Sequence, residues 1–241
     1  MLKENETLDD ILIKDFKIIQ QKSGFRFGTD AVLLAEYAGI KQGETVMDLC
    51  TGNGIVPILL CAKKEPKHVC GLEISENACD MARRSVKLNG IEDKVEIICG
   101  NVCDYRKFEA GSFDVVTANP PYRKANDGMK SPDKMKAAAR HEVFCELEDV
   151  VSAAAWLLKS GGRFVMVHRT ERMAEIFAVL IKHRLEPKRM RLVCHDKNAL
   201  PRLFTVDARK DGATGLITDM PLYVTDEKGE KTPEMEAVYF G

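Results

Sequence analysis

Between Thr45 and His168 the sequence alternates short apolar stretches with amphipathic ones, and this alternation constrains the fold more than any other feature. The apolar stretches have the length of buried strands, and the stretches between them have the spacing of helices with one apolar face. Strands that alternate with helices predict right-handed βαβ units and a parallel sheet that is covered on both faces. The predicted strands are Thr45–Cys50, His68–Ile74, Val95–Cys99, Phe113–Ala118 and Arg163–His168.

The segments around this alternation complete a single α/β domain with a doubly wound, mostly parallel sheet. Helices are predicted over Asp30–Ala38, Gly54–Ala62, Leu147–Leu158 and Thr170–Lys182, and another begins after the capping residue Ser75 and ends at Asn89-Gly90. An antiparallel edge is predicted from three strand-like C-terminal stretches, Arg189–Cys194, Leu203–Ala208 and Met235–Phe240. We expect a short lead-in over residues 1–28 with two extended pieces, a ligand-binding core over 45–168, and edge strands over 185–241.

A glycine turn follows the first predicted strand. Gly52 and Gly54 let the backbone pass close to a ligand at the start of the next helix, whereas Pro57 replaces the third glycine of a dinucleotide-binding fingerprint. Glu73 ends the second strand about 20 residues after the first glycine, where a carboxylate suits the hydroxyls of a ribose. Asp48 is polar in an otherwise apolar strand end, and we expect it to hold a ligand's ammonium group directly or through water.

Polar residues also follow the third strand and begin the first helix. Asn101 can pair with the edge of a purine and Val102 supplies an apolar neighbour, although an ordinary turn is the equal alternative. Thr29 stands where backbone N–H groups either face an anionic ligand group or form a plain helix cap. Because the carboxyl ends of parallel strands meet at one edge of a sheet, we expect these clusters to form one site.

The fourth strand ends in Asn119-Pro120-Pro121-Tyr122. Two successive prolines forbid both a continued ladder and an immediate helix, so a stiff loop must follow. The Asn119 amide and the Pro120 carbonyl offer two acceptors, and Tyr122 offers an aromatic face, a combination that suits a planar group carrying an NH₂. Taken alone, the tetrapeptide also fits a proline-terminated strand followed by a surface turn.

Together these motifs resemble the class I S-adenosylmethionine-dependent methyltransferases, from about Thr45 through Tyr122. The resemblance implies a Rossmann-like, seven-stranded sheet, with S-adenosylmethionine held in the 45–168 core by the glycine turn, Glu73 and the Asn101-Val102 pair. The motif at 119–122 is the mark of enzymes that methylate adenine N6, guanine N2 or a glutamine amide. The run from Phe25 to Leu34 and the tail from Pro201 are similar to the bacterial tRNA1(Val) (adenine(37)-N6)-methyltransferase family.

The resemblance implies that Asn119, Pro120 and Tyr122 are catalytic. Asn119 and Pro120 would accept the two hydrogens of the amino group of the target base, and Tyr122 would stack on that base. The base must leave its stack to enter the pocket. Asn119 and Thr29 would also border the cofactor. A tRNA would be held by a basic segment that follows Tyr122, consisting of Arg123, Lys124, Lys130, Lys134, Lys136 and Arg140.

Composition limits the alternatives. The net charge of -1 excludes global attraction to nucleic acid, no apolar run approaches the ~20 residues of a membrane span, and none of the eight cysteines forms Cys-x-x-Cys. We therefore expect a cytoplasmic protein with reduced thiols and no metal. The alternatives left open are a glutamine N5-methyltransferase acting on release factors, a guanine-N2 methyltransferase of ribosomal RNA, and a cofactor-binding module without catalysis. The sequence leaves the oligomeric state undetermined.

Overall fold

The computed structural model describes residues 2–23, 26–122 and 145–240, and within them a nine-stranded sheet forms the centre of the fold. A separate antiparallel hairpin, β1 (Glu6–Asp10) and β2 (Lys17–Gln21), precedes it. The strands of the large sheet are β3 (Thr45–Leu49), β4 (His68–Glu73), β5 (Val95–Cys99), β6 (Phe113–Ala118), β7 (Leu158–Arg169), β8 (Leu185–Cys194), β9 (Leu203–Lys210), β10 (Ile217–Thr218) and β11 (Leu222–Tyr223).

The order of these strands places a topological switch point at the centre of the sheet. The order is β10-β8-β9-β7-β6-β3-β4-β5, and β11 also pairs with β8. Strands β3 to β7 are parallel, whereas β9 runs antiparallel to both β7 and β8. The chain moves outward from β3 to β5 on one side and continues at β6 on the other. In such sheets ligands bind outside the carboxyl ends of the strands at this reversal.

Helices cover both faces of the sheet, as the alternation predicts. The helices are α1 (Thr29–Tyr37), α2 (Ile55–Lys63), α3 (Glu76–Leu88), α4 (Leu147–Leu157), α5 (Met173–Lys182) and α6 (Pro233–Phe240). Two apolar cores result, one under α1, α2, α3 and α6 and the other under α4 and α5. Ser75 caps α3 through its hydroxyl, which accepts from Ala78 N at 3.4 Å, and Gly90 follows that helix at φ +64°. No helix in the described ranges is long and apolar enough to cross a membrane.

The sequence-based expectation of a strand at Met235–Phe240 is wrong, because this segment is helix α6. Thr232 Oγ1 accepts a hydrogen bond from Met235 N at 3.1 Å, and Pro233 opens the helix, where its missing N–H costs nothing. Met235 and Val238, three residues apart, are buried in the core under α1. That spacing fits a helix face, whereas a strand would turn one of the two outward.

Four smaller expectations also need correction. The sheet has nine strands in the described residues rather than seven, because β10 and β11, of two residues each, add to β8. The first helix begins at Thr29, with Gly28 in the capping position. Gly161 and Gly162, which the sequence suggests as the end of the helix predicted over Leu147–Leu158, lie inside β7, in the stretch between Leu158 and Arg163 where its pairing with β6 is irregular. The partner of the extended lead-in piece Lys17–Gln21 is Glu6–Asp10, a strand too polar to be recognised by alternation.

Candidate functional site

The turn after β3 requires its glycines for two different reasons. Gly52 has φ +58°, and an added Cβ would meet no atom within 4 Å, so its side faces open space. Gly54 has φ +82°, and its Cβ would lie 3.0 Å from Ala82 Cβ on α3. Gly54 therefore lets α2 and α3 pack closely, whereas Gly52 provides a left-handed backbone that a ligand can approach. The turn lies at the carboxyl end of β3, beside the switch point.

Glu73, at the end of β4, holds this turn in place. Its Oε2 accepts from Gly52 N and its Oε1 from Ser75 N, both at 2.9 Å. A carboxylate has about four lone-pair sites, so each oxygen keeps capacity for a ligand hydroxyl. The half-buried side chain is thus fixed by backbone donors at the place predicted for a ribose contact.

Asp48 is a buried acid with one oxygen left unsatisfied. Its side chain is almost fully buried, and its Oδ1 accepts from Thr117 Oγ1 at 2.6 Å across the β3–β6 pair. Its Oδ2 makes no hydrogen bond to a described residue, although the Thr51 hydroxyl is near enough to lower the pKa of Asp48 in part. Burial raises the pKa of Asp48 to about 7, and the negative charge of Glu73 adds to the shift. A cationic group placed beside this oxygen would supply the missing partner and favour the ionised form.

Asn101 caps a 3₁₀ turn at Val102–Lys107. Its Oδ1 accepts from Cys103 N at 2.9 Å, while Val102 is buried against the core under α4. The amide oxygen of Asn101 is therefore used in a turn, which is the alternative to a purine contact. The Val102 position remains at the sheet edge next to Glu73, since β5 pairs with β4 up to Cys99.

Asn119 and Tyr122 are joined by a short hydrogen-bond network that includes Asp30. The Tyr122 hydroxyl lies 2.8 Å from Asn119 Oδ1 and 2.7 Å from Asp30 Oδ2. The hydroxyl has one hydrogen, so it donates to one of these oxygens at a time. Burial and the Asp30 carboxylate raise the pKa of Tyr122, which keeps the phenol protonated. Pro120 is buried and Pro121 exposed, so the loop leaves the sheet with Asn119 half-buried at its edge.

Two further residues, both at the end of β7, contact the Tyr122 ring. The His168 ring packs against it at a centroid separation of 5.1 Å and an interplanar angle of 67°. The Arg169 guanidinium lies 5.4 Å from its centroid, within the range of a cation–π contact. Arg169 is exposed whereas His168 is 1% exposed, so the cation stands at the rim and the imidazole inside.

The predicted site residues divide into three groups. Gly52, Gly54, Glu73, Asp48, Asn119, Pro120 and Tyr122 lie at or beside the carboxyl edge of the central strands, with Asn101 and Val102 next to them. Thr29 contacts α6, with its Oγ1 3.2 Å from Tyr239 Oη. The six basic residues of the RNA expectation (Arg123, Lys124, Lys130, Lys134, Lys136, Arg140) and Phe25 lie outside the described residues.

Sequence reasoning did not point to Asp30 or Arg169, and it treated His168 as a structural or exposed residue without a catalytic part. Asp30 lies in the first turn of α1, and 92 residues of chain separate it from Tyr122. A local sequence pattern therefore cannot predict their contact. His168 and Arg169 had a weaker signal, because they are the last residues of a strand predicted to end at the binding edge.

Comparisons with known sequences identify a family and several relatives. Residues 23–186 match the family described as methyltransferase small domain. The chain is 31% identical over 159 residues to the tRNA1(Val) (adenine(37)-N6)-methyltransferase of Bacteroides thetaiotaomicron, a match that covers 66% of this chain and 65% of that protein. It is 29% identical over 190 residues to the protein of the same description from Porphyromonas gingivalis, covering 76% and 73%. The chain thus matches just under two thirds of the length of the first relative.

Solved structures show the same fold. A predicted O-methyltransferase from Agrobacterium tumefaciens superimposes with a TM-score of 0.71 at 22% identity, covering 87% of this chain and 95% of that one. TrmN from Thermus thermophilus superimposes with a TM-score of 0.54 at 19% identity, covering 75% and 48%.

Proposed function

We propose that this chain, which belongs to the methyltransferase small domain family, methylates the exocyclic N6 of an adenosine in tRNA with S-adenosylmethionine as cofactor. The observation that carries the proposal is the Asn119–Tyr122 loop at the carboxyl end of β6, which places an amide oxygen, a proline carbonyl and an aromatic ring beside the switch point. Both relatives described above are named for methylation of adenine 37 in tRNA1(Val), which supports position 37 as the target.

The residues at the sheet edge fit S-adenosylmethionine. Glu73 would accept from the ribose hydroxyls, since both of its oxygens are already oriented by backbone donors. The unsatisfied Oδ2 of Asp48 is a site for the ammonium group, and the open side of Gly52 leaves room for close backbone approach. When bound, the cofactor supplies an electrophilic methyl group on a sulfonium.

The Asn119 loop would orient the nucleophile. An adenine amino group is a weak nucleophile because its lone pair is delocalised into the ring. If Asn119 Oδ1 and the Pro120 carbonyl accept its two hydrogens, the nitrogen is held with its remaining electron density directed at the methyl group. The same acceptors stabilise the positive charge that grows on nitrogen during transfer. The bond from sulfur to methyl breaks as the bond from nitrogen to methyl forms, which would leave a neutral thioether, and the methylated nitrogen then loses one hydrogen as a proton to water.

The hydroxyl of Tyr122 lies 2.8 Å from Asn119 Oδ1, so it competes with the substrate amino group for this acceptor. Asp30 Oδ2 lies 2.7 Å from the Tyr122 hydroxyl oxygen, so the hydroxyl can donate to Asp30 when Asn119 binds the substrate. Tyr122 then needs only to exchange one of two acceptors to open the site. Its ring would stack on the target base, which must leave its neighbours in the loop to reach it.

Contacts to the RNA backbone would come from cations around this opening. Arg169 is exposed beside the Tyr122 ring, and the basic positions between 123 and 140 follow Tyr122 directly in sequence. Such phosphate contacts supply affinity without reading sequence.

The test is methylation of unmodified tRNA by the purified chain, followed by nucleoside analysis of the RNA and peptide analysis of a release factor offered in parallel. We expect N6-methyladenosine in tRNA. N2-methylguanosine in ribosomal RNA or methylglutamine in the release factor would assign the same loop to a different substrate. Cofactor binding without methylation of any of these acceptors would support a binding module.

A further inference from the structure

His168 is a buried histidine at the end of β7, and one of its ring nitrogens has no hydrogen-bond partner among the residues that the structure describes. β7 is the strand next to β6, and their parallel pairing runs up to Ala118 and Met166, immediately before Asn119. The His168 ring packs edge-on against Tyr122 at 5.1 Å, and the residue is 1% exposed. It therefore lies beside the end of β6, against the ring proposed to stack on the base.

The backbone fixes which nitrogen of His168 carries the proton. His168 Nδ1 lies 2.8 Å from Arg169 N, a donor, so Nδ1 accepts and the proton of the neutral ring resides on Nε2. Burial lowers the pKa of His168 to about 4, which keeps the ring neutral at physiological pH. Nε2 is buried and has no hydrogen-bond partner in the part of the chain that the structure describes. A buried N–H donor without a partner lowers the stability of the fold. Such a group in an active site points to a hydrogen bond with a bound ligand.

We propose that His168 donates a hydrogen bond from Nε2–H to a ring nitrogen of the target adenine, and so determines which base is accepted; this rests on the proposed function. The amino group of adenine is flanked by two ring acceptors, N1 on one side and N7 on the other. In the proposed complex, Asn119 holds the amino group of the base and Tyr122 stacks on its face. One of the two ring nitrogens would then face His168.

The donor state of His168 explains selectivity that Asn119 alone does not provide. The Asn119 loop accepts hydrogens from any planar amide or amidine, including the guanine amino group and the glutamine amide. Guanine carries a hydrogen on N1, which would oppose the Nε2–H donor unless guanine entered with its N3 on that side. The carbonyl oxygen of a glutamine amide could accept from the donor, so His168 would discriminate between bases and not between adenine and glutamine. A pocket with a fixed donor disfavours substrates that leave it unpaired.

The experiment is a cycle between enzyme variants and substrate analogues. Anticodon stem-loop RNAs would carry adenosine, 1-deazaadenosine or 7-deazaadenosine at the target position, and methyl transfer would be measured in single-turnover reactions. The variants are His168→Phe, which keeps a ring without the donor, and His168→Gln, whose amide can place an N–H near the Nε2 position. His183→Phe is the matched control, because His183 pairs with Glu148 between α4 and α5 and has no described contact with the Asn119–Tyr122 loop. Comparing the same ratio of two RNAs between two enzymes cancels the intrinsic reactivity of each base.

With adenosine, His168→Phe should lose about tenfold in kcat/KM, the range for one hydrogen bond in a buried site. One deaza analogue should cost wild type and His183→Phe about tenfold more than it costs His168→Phe, which identifies the ring nitrogen. His168→Gln should recover part of both effects. If wild type and His168→Phe respond equally to both analogues, His168 makes no contact with the base and the inference is overturned.

Wild type alone can still overturn the inference if the variants fold poorly. Methylation of both deaza RNAs by wild type as fast as of adenosine RNA would overturn the inference without any variant. Failure of wild type to methylate adenosine RNA at all, with cofactor bound, would instead overturn the proposed function.

Discussion

Replacing Asp48 by asparagine should remove a pH-dependent loss of folding stability from this protein. In the folded chain, burial raises the pKa of Asp48 to about 7, whereas its ordinary value is 3.8. The native state therefore retains a proton that the unfolded state has already released. A group of this kind contributes stability that is complete below its unfolded pKa and is lost as the pH rises through its folded pKa. Asparagine has the same shape and no proton to lose.

The magnitude follows from the gap between the two pKa values. From about pH 5 to pH 7 the unfolded Asp48 is ionised and the native one is protonated, so the free energy of unfolding falls by about 1.4 kcal/mol per pH unit. Above pH 7 the native group ionises as well and the slope disappears. Between pH 5 and pH 8 wild type should lose roughly 3 kcal/mol relative to Asp48→Asn, whatever the constant cost of the substitution.

Urea unfolding of the cofactor-free proteins at several pH values measures this difference. Asp114→Asn is the matched control: although burial opposes it, hydrogen bonds from Lys159 and Thr45 hold the pKa of Asp114 below 3.8. Both of its pKa values lie below the tested range, so its pH slope should equal that of wild type. Parallel stability curves for wild type and Asp48→Asn would refute the assignment of a buried, protonated acid at the sheet edge. A saturating cofactor should reduce the difference, because an ammonium group beside Oδ2 favours the ionised form.

Two further predictions concern the cofactor and the base. Glu73→Ala should weaken S-adenosylmethionine binding by about 1.5–3 kcal/mol, the range for hydrogen bonds to a charged group, and unchanged affinity by calorimetry in a folded variant would exclude the ribose contact. Tyr122→Ala should raise the KM for tRNA by roughly 5- to 150-fold, since base stacking on an aromatic ring contributes about 1–3 kcal/mol, whereas Tyr122→Phe should keep the wild-type KM. Equal losses in both Tyr122 variants would indicate that the hydroxyl, rather than the ring, holds the substrate.

Features encoded within one segment could be predicted from the sequence. The parallel strands from β3 to β7, the left-handed glycines at 52 and 54, and the Ser75 cap each depend on residues within one or two elements. The antiparallel edge was also predicted, from the lack of a long helix between Leu203–Ala208 and Met235–Phe240. The edge that forms is instead built on β9, which pairs antiparallel with β7 and β8. Glu73 was recognised by its distance from the glycine turn, which the structure explains through its hydrogen bond to Gly52 N.

Features that depend on distant parts of the chain could not be predicted. The Asp30–Tyr122 hydrogen bond joins α1 to the end of β6, and the Thr29–Tyr239 contact joins α1 to α6. Helix α6 was misread because Met235–Phe240 is short and its apolar residues fit either period until its packing against α1 is known. The lack of a described hydrogen-bond partner for His168 Nε2 depends on residues from several elements, so it can be seen only in the folded structure.

The most direct test of the central claim is single-turnover methyl transfer to unmodified tRNA by Asn119→Ala, compared with wild type. The side chain is half-buried at the edge of the sheet, so the fold and cofactor affinity should remain close to wild type. We expect the rate to fall by ~10²–10³, the usual cost of losing one preorganised partner of a developing charge. Asn119→Asp should lose less, because an acceptor remains. Transfer by Asn119→Ala at the wild-type rate would contradict the account and make the loop structural.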